Sequence, residues 1–171
     1  MPEKKTIEKA RKDKREGKSA STQAGEFVHE EIEHVKEGKH GARSTKQAIA
    51  IGLSKARRAG VKLPVPEKGT VSEETRRKAR SDNEKGAKGA KKTVSRTRSK
   101  ATTEALKKEG HSAVSKKALS KQAKSAASER TAAERSASAR KAARTKGPED
   151  RSAAARKAAK TRAKKTAKKS S

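Results

Sequence analysis

The large apolar residues of this chain are confined to one short stretch, and this confinement limits where a core can form. Of the 17 Val, Ile, Leu, Met and Phe residues in 171, 10 lie within residues 27–65, and only four follow residue 71. Burial of apolar side chains is the main favourable contribution to folding. The sequence therefore predicts one small folded region and a long segment that mainly carries charge.

The charge of the chain is large and unevenly distributed. Forty-nine Lys and Arg residues against 20 Asp and Glu residues give a net charge of +29. Residues 1–68 carry a net charge of +7, and residues 69–171 carry +22. A polyanion would relieve the self-repulsion of such a chain, so nucleic acid is the expected partner and the C-terminal part its main binding region. Because only 28% of residues are hydrophobic and 40% are charged, we expect this basic tail to be largely disordered or partly helical.

Two amphipathic helices are predicted in the apolar stretch. The first, residues 22–37, carries apolar residues at three- and four-residue spacing: Ala24, Phe27, Val28, Ile32 and Val35. The second, residues 45–59, follows the capping-box pair Ser44 and Gln47. The next segment, VKLPVP, cannot continue the helix because of its prolines, but its apolar residues can fold back over both helices. These features predict an all-α fold built on a short helical hairpin with an extended strap.

The sequence suggests four segments. They are a charged N-terminal helix or arm at residues 1–20, the hairpin at 21–66, a helix with a Gly/Lys linker at 67–94, and a basic Ala/Lys/Ser-rich tail at 95–171. The first residues contain no apolar run typical of a signal peptide, and nowhere do about 18 apolar residues occur together. We therefore expect a cytoplasmic protein without a membrane partner, in the nucleoid if the organism is bacterial.

Two residues fit the hairpin poorly. Glu31 lies inside the apolar arc of the first helix, so either this helix is partly exposed or Glu31 forms an ion pair with a basic residue of the second. Ile51 lies opposite the apolar face of the second helix, in a stripe with Gln47, Ser54 and Arg58. It is either a scattered exposed residue or part of a surface that contacts a second copy of the hairpin or a DNA groove.

The hairpin region also resembles a known family. Residues 25–64, GEFVHEEIEHVKEGKHGARSTKQAIAIGLSKARRAGVKLP, look like a small bacterial domain of uncharacterised function whose recurring element is the KQAIAIGLS-x-AR segment at residues 46–57. Proteins similar over that stretch are often labelled DNA-binding. The resemblance thus implies nucleic-acid binding but identifies no catalytic or ligand-binding residues.

The tail contains two near-copies of one basic segment. SARKAARTK begins at Ser138 and AARKAAKTR begins at Ala154, sixteen residues later. Such tracts resemble the C-terminal tails of linker histones and the histone-like tails of some bacterial nucleoid proteins, which implies neutralisation of phosphates. The chain has one Phe and no Trp or Tyr, so it lacks the aromatic platform of most single-strand and RNA readers. Double-stranded DNA is therefore the expected ligand.

No pattern typical of an enzyme is present. Without cysteine the chain has no thiolate nucleophile or thiolate metal site, and no nucleophile elbow or phosphate loop accompanies its Ser and Lys residues. His29 and His34 are five residues apart, one more than the spacing of a helical zinc pair. We therefore expect no catalytic residues, no metal, no cofactor and no small-molecule substrate.

These observations predict a non-enzymatic, largely sequence-nonspecific DNA-binding protein of the histone-like or nucleoid-associated class. The basic tail would neutralise phosphates, and the hairpin would dock the protein or pair with a second copy as a homodimer. Alternatives are an RNA- or ribosome-associated basic protein, a hydrophilic stress-protection protein, and a module that recruits a partner to DNA. The expected nucleic-acid-binding residues are Arg43, Lys46, Gln47, Ser54, Lys55, Arg57, Arg58, Lys62, Arg140, Lys141, Arg144, Lys146, Arg151, Arg156, Lys157, Lys160, Arg162, Lys164, Lys165, Lys168 and Lys169.

Overall fold

A computed structural model describes residues 2–89, 95–145 and 147–167, with side chains except those of residues 145 and 164–167. These residues form eight α-helices and one short 3₁₀ helix, which confirms the all-α class. The α-helices are α1 (Lys4–Arg15), α2 (Ala20–Lys36), α3 (Thr45–Arg58), α4 (Glu73–Ala87), α5 (Arg96–Lys107), α6 (Lys116–Ser128), α7 (Ala132–Thr145) and α8 (Pro148–Ala167). None of the helices in the described ranges is long and apolar enough to cross a membrane.

The hairpin helices α2 and α3 begin and end at residues that favour helix termini. The Ser19 hydroxyl accepts a hydrogen bond from the Thr22 N–H, and the Ser44 hydroxyl accepts one from the Gln47 N–H. After the helices, Gly38 and Gly60 have φ angles of 74° and 92°, a left-handed conformation that is easiest for glycine. Local sequence thus sets both the length of the hairpin helices and the loop between them.

The first core cluster joins α1, α2, α3 and the strap. Its buried members are Ala10, Ala24, Phe27, Ala56, Val61 and Leu63. The predicted fold-back of the VKLPVP segment is confirmed by Val61 and Leu63. The two hairpin helices approach closely at Gly52, where an added Cβ would lie 2.7 Å from the Cα of Val28. Small residues at this crossing let a short apolar stretch form a packed core.

A second core cluster includes residues that the sequence analysis assigned to the tail. Val35, Ala42 and Ala48 pack with Ala113 and Val114, which belong to the 3₁₀ helix Ser112–Val114. Three hydrogen bonds fix the same segment to the N-terminal part. The Thr45 hydroxyl donates to the Ala113 carbonyl (2.5 Å), the Gly41 N–H to the Leu106 carbonyl (2.9 Å) and the Ala42 N–H to the Gly110 carbonyl (3.0 Å). Residues 106–114 are therefore part of the N-terminal fold.

The predicted largely disordered or partly helical tail is wrong, because α5, α6, α7 and α8 span most of residues 96–167. The physical reason is local. Ala, Lys and Arg are among the strongest helix formers, so these segments can be helical without an apolar stripe. Capping adds to this preference: the Thr131 N–H donates to the Glu134 carboxylate (2.8 Å), and the Glu134 N–H donates to the Thr131 hydroxyl (3.2 Å). The prediction gave too much weight to low hydrophobicity and too little to this helix-forming composition.

The chain divides into two compact units. The first, Met1–Gln122, contains both core clusters, and the second, Ala123–Ser171, contains α7 and α8. In the second unit every residue of known burial is exposed, apart from Ala126 and Ala143, which are half-buried. Only the first unit is therefore organised around a core in the described residues.

Candidate nucleic-acid interface

The polar stripe on the outer face of α3 contacts α4 of the same chain. The Ser54 hydroxyl donates to Asp82 Oδ2 (2.6 Å), and Arg58 Nε lies 3.1 Å from Asp82 Oδ1. Ile51 in the same stripe is half-buried. This face, for which the sequence suggested a second copy or a DNA groove, is thus partly occupied by an intramolecular helix.

Arg57 turns toward the strap. Its Nη2 donates to the Pro64 carbonyl (3.3 Å). Burial lowers the pKa of the Arg57 guanidinium, and the negative charge of Asp82 partly offsets this shift. The Arg57 carbonyl lies so close to Gly86 of α4 that a Cβ at Gly86 would collide with it. The last turn of α3 is therefore packed against α4 and the strap.

Lys55 is held inside the N-terminal unit by two carboxylates of α2. Its Nζ lies 2.5 Å from Glu31 Oε2 and 3.4 Å from Glu30 Oε1, while the Lys55 side chain is only 19% exposed. The Glu31 side chain is 1% exposed. This confirms the interpretation of Glu31 as an ion-pair partner of the next helix. The Lys55 charge is used within the fold.

Four predicted hairpin residues are exposed: Arg43, Lys46, Lys62 and Arg58, the last of which is paired with Asp82. Arg43 and Lys46 lie on either side of the α3 N-cap, and Lys62 lies in the strap. Gln47 is half-buried, and its side-chain oxygen accepts the Arg43 N–H (2.8 Å). The cations of the hairpin that can reach an external anion are thus fewer than the sequence suggested.

The predicted residues of the C-terminal part lie on α7 and α8. The described ones are all exposed, namely Arg140, Lys141, Arg144, Arg151, Arg156, Lys157, Lys160 and Arg162. Lys164 and Lys165 belong to α8, but their side chains lie outside the described ones. Lys146, Lys168 and Lys169 lie outside the described residues. The exposed set gives the second unit a basic surface.

The basic residues of α8 lie on more than one side of the helix. At 100° per residue, Arg151 and Lys160 lie on opposite faces, and Arg156 and Lys157 point between them. The acidic residues of this helix, Glu149 and Asp150, occupy its first turn, where they complement the helix dipole. From residue 151 onward α8 therefore presents positive charge on two opposite sides.

Exposed cations on α5 and α6 were not included in the sequence prediction. Arg96, Lys100 and Lys107 share one face of α5, and Lys117 and Lys121 lie one turn apart on α6. Arg96 and Lys100, like Lys117 and Lys121, are four residues apart, and Lys100 and Lys107 are seven apart, close to two helical turns. Such spacing indicates a shared helix face and could have been recognised in the sequence. It was missed because this region was treated as a largely disordered or only partly helical tail.

Comparison with known proteins identifies only the N-terminal part. Residues 3–69 match the model of a family described as a family of unknown function (DUF6496). No curated protein and no solved structure matches the chain. The match covers α1, α2, α3 and the strap, and it ends before α4 and the basic helices. The resemblance to an uncharacterised domain is thus confirmed.

Proposed function

We propose that this chain is a non-enzymatic protein that binds double-stranded DNA with little sequence preference. Its C-terminal basic helices neutralise phosphates, and its N-terminal unit docks the protein or pairs with a second copy. The observation that carries this proposal is the exposure of every described basic side chain on α7 and α8, with cations on opposite sides of α8. Such a surface suits a polyanion and has no core-forming role.

The charge density of α8 supports a duplex ligand. The helix contains 20 residues, seven of them basic. A helix of that length extends for about 30 Å, and a DNA duplex of the same length carries roughly 18 phosphate charges. The second unit as a whole has 16 basic and 4 acidic residues, a net charge of +12. Binding would therefore release many counterions, and affinity should fall steeply with salt.

Two further features favour backbone contacts over base recognition. The single Phe of the chain, Phe27, is buried in the first core cluster, so it cannot stack on a base. Helical segments that exist before binding also lose less conformational entropy than a disordered tail would. Phosphate contacts from Lys and Arg carry no direct sequence information, which fits a nonspecific binder.

A salt titration of full-length variants tests the proposal. One variant replaces five exposed cations of the second unit with Gln, at Arg140, Arg144, Arg156, Lys157 and Lys160. A matched control makes the same change in α1, at Lys4, Lys5, Arg11, Lys14 and Arg15. Both lose the same charge. If each lost cation contacted a phosphate, the slope of log affinity against log salt would become shallower by roughly 0.9 per residue, or about 4 to 5 units.

Comparison of the two variants shows whether DNA affinity depends on where the cations lie or only on the net charge of the chain. We expect the C-terminal variant to show this shallower slope in a mobility-shift assay, and the α1 variant to show a much smaller change. Equal losses would show that only total charge matters and would contradict the proposed interface. Competition with duplex RNA of equal length tests the RNA alternative, because preferential displacement of the bound DNA by RNA would make RNA the ligand.

A further inference from the structure

The fold brings three side chains with metal-binding chemistry together at the end of α2. The potential ligand atoms of Glu31, His34 and His40 all lie within 4.8 Å of one another. Glu31 and His34 are one helical turn apart, and the left-handed turn at Gly38 reverses the chain so that His40 approaches them. The sequence analysis compared only the spacing of His29 and His34 on one helix. It did not identify this cluster, because His40 comes from the following loop.

The hydrogen bonding of His40 directs its other ring nitrogen toward a buried carboxylate. Its Nδ1 lies 3.0 Å from the Gly41 carbonyl, and since a carbonyl only accepts, Nδ1 carries the proton. In the neutral ring that a metal ion would bind, the lone pair is on Nε2, which lies 3.3 Å from Glu31 Oε1. A nitrogen and an oxygen bound to one tetrahedral Zn²⁺ at their usual distances are separated by about 3.3–3.4 Å. The pair thus has the separation of two ligands of one ion.

His34 has a similar arrangement. Its Nε2 lies 3.0 Å from the Glu3 carboxylate, so that nitrogen donates and Nδ1 keeps the lone pair. A histidine that binds a metal commonly donates its other N–H to a carboxylate or a backbone carbonyl, which fixes its orientation. Glu3 fulfils this role for His34, and Gly41 does so for His40. The ring centroids are 6.2 Å apart and the ring planes are nearly perpendicular, at 82°.

The local charge also favours a cation. Glu30 and Glu31 are both buried, and the Lys55 ammonium contacts both of them. With neutral histidines this group has a net charge of −1, and an unbalanced buried charge is costly. Lys55 contacts Oε2 of Glu31, which leaves Oε1 directed toward His40. A divalent ion at Oε1 would bind where a second positive charge is needed.

We propose that Glu31 Oε1, His34 Nδ1 and His40 Nε2 bind a divalent transition-metal ion of the Zn²⁺ class, with water in a fourth position. Two imidazoles and one carboxylate suit Zn²⁺, whereas Mg²⁺ and Ca²⁺ prefer all-oxygen sites. The site would connect the α1 N-terminus, through Glu3, with α2 and the loop that carries Gly41 and Ala42. Because this loop bonds residues 106 and 110, metal binding should also stabilise the docking of residues 106–114.

Titration of the full chain with ZnCl₂ tests the site. The informative variants are His34→Gln and His40→Gln, which keep polar side chains and avoid leaving Lys55 without its partner. The control is the double variant His29→Gln/His111→Gln, which removes the two histidines outside the cluster. We expect one Zn²⁺ per chain by calorimetry, a higher unfolding temperature with Zn²⁺, and a visible Co²⁺ spectrum typical of tetrahedral coordination.

Each ligand variant should bind Zn²⁺ at least about 10-fold more weakly, since even outer partners of such sites affect affinity by 10- to 100-fold. The control should bind like the wild type. Circular dichroism establishes that every variant is folded before titration. Failure of the folded wild type to bind Zn²⁺, or equal affinity in wild type, His34→Gln and His40→Gln, would overturn the proposal. Loss of binding only in the control would overturn it as well.

Discussion

The two units of this protein use the same basic residue types in opposite ways. In Met1–Gln122, cations also serve the fold: Lys55 pairs with buried carboxylates of α2, and Arg58 joins α3 to Asp82 of α4. In Ala123–Ser171, the basic residues of known burial are all exposed. The difference arises from burial and from the nearest carboxylate, which composition does not reveal. A cation therefore has to be assigned to folding or to binding one residue at a time.

Replacement of Lys55 by Met should show the largest difference in stability between a substitution in the first unit and a matched one in the second. The change leaves Glu31 and Glu30 buried without their ammonium partner, which typically costs about 3–5 kcal/mol of unfolding free energy. Urea unfolding of the full chain, followed by circular dichroism, measures the loss. The matched change is Lys157→Met on exposed α8, which should alter stability by less than about 0.5 kcal/mol. Similar effects of the two substitutions would remove the distinction between folding and binding cations.

A pair of glycine substitutions tests how closely the first unit is packed. Gly52→Ala places a Cβ only 2.7 Å from the Cα of Val28, and such overpacking typically costs roughly 1–3 kcal/mol. Gly25→Ala in α2 is the control, because an added Cβ there would meet no atom within 4 Å. Alanine is the better helix former, so Gly25→Ala should stabilise by up to about 1 kcal/mol. A shift of the unfolding temperature in the same direction in both variants would contradict the close crossing of α2 and α3.

Val114→Ala tests where the first unit ends. Val114 is 2% exposed in the second core cluster, and loss of two methyl groups should cost about 1.6 kcal/mol. Val71→Ala is the control, since Val71 is 38% exposed and its truncation should change stability by less than about 0.5 kcal/mol. Chemical denaturation of the full chain gives both values. If Val114→Ala proved neutral, residues 106–114 would belong with the tail, as the sequence analysis first assumed.

The hairpin could be predicted because its signals are local. The predicted helices at residues 22–37 and 45–59 match α2 and α3 within two residues, since apolar periodicity, serine caps and terminal glycines all agree. The strap was also placed correctly by its prolines and alternating apolar residues. The docking of residues 106–114 was not predicted, because Ala113 and Val114 are only two apolar residues and lie far from the other core residues in sequence. No local pattern indicates such a contact.

The candidate sites show the same limit. A helical wheel identified Glu31 as misplaced, and its ion pair was among the alternatives considered. The wheel could not show that Lys55 would be the partner, or that Ser54 and Arg58 would contact Asp82, because these contacts depend on how separate helices pack. The approach of His40 to His34 likewise depends on the path of a loop. Sequence thus identified side chains with unusual positions, and tertiary structure determined their partners.

The smallest expected effect concerns the helices of the second unit, where local interactions replace a core. Thr131 caps α7, and its substitution by Ala should lower local helix stability by about 0.5–1 kcal/mol. The loss would appear in the NMR Cα shifts of the first turn of α7. Thr161→Ala in α8 is the control, because Thr161 only donates to the Lys157 carbonyl within its own helix. Alanine should slightly raise helicity there.

The same cap makes α7 sensitive to acid. Hydrogen bonds from the Thr131 backbone and hydroxyl lower the pKa of Glu134 below its ordinary value of 4.5. A lowered pKa means that the folded helix favours the carboxylate, so this contribution is complete above pH 4.5 and is lost as the pH falls through the lowered pKa. The first turn of α7 should therefore fray on acidification in the wild type and change little in Glu134→Gln. Identical pH profiles for the two proteins would show that α7 persists without this cap, and that its helix-forming composition alone is sufficient.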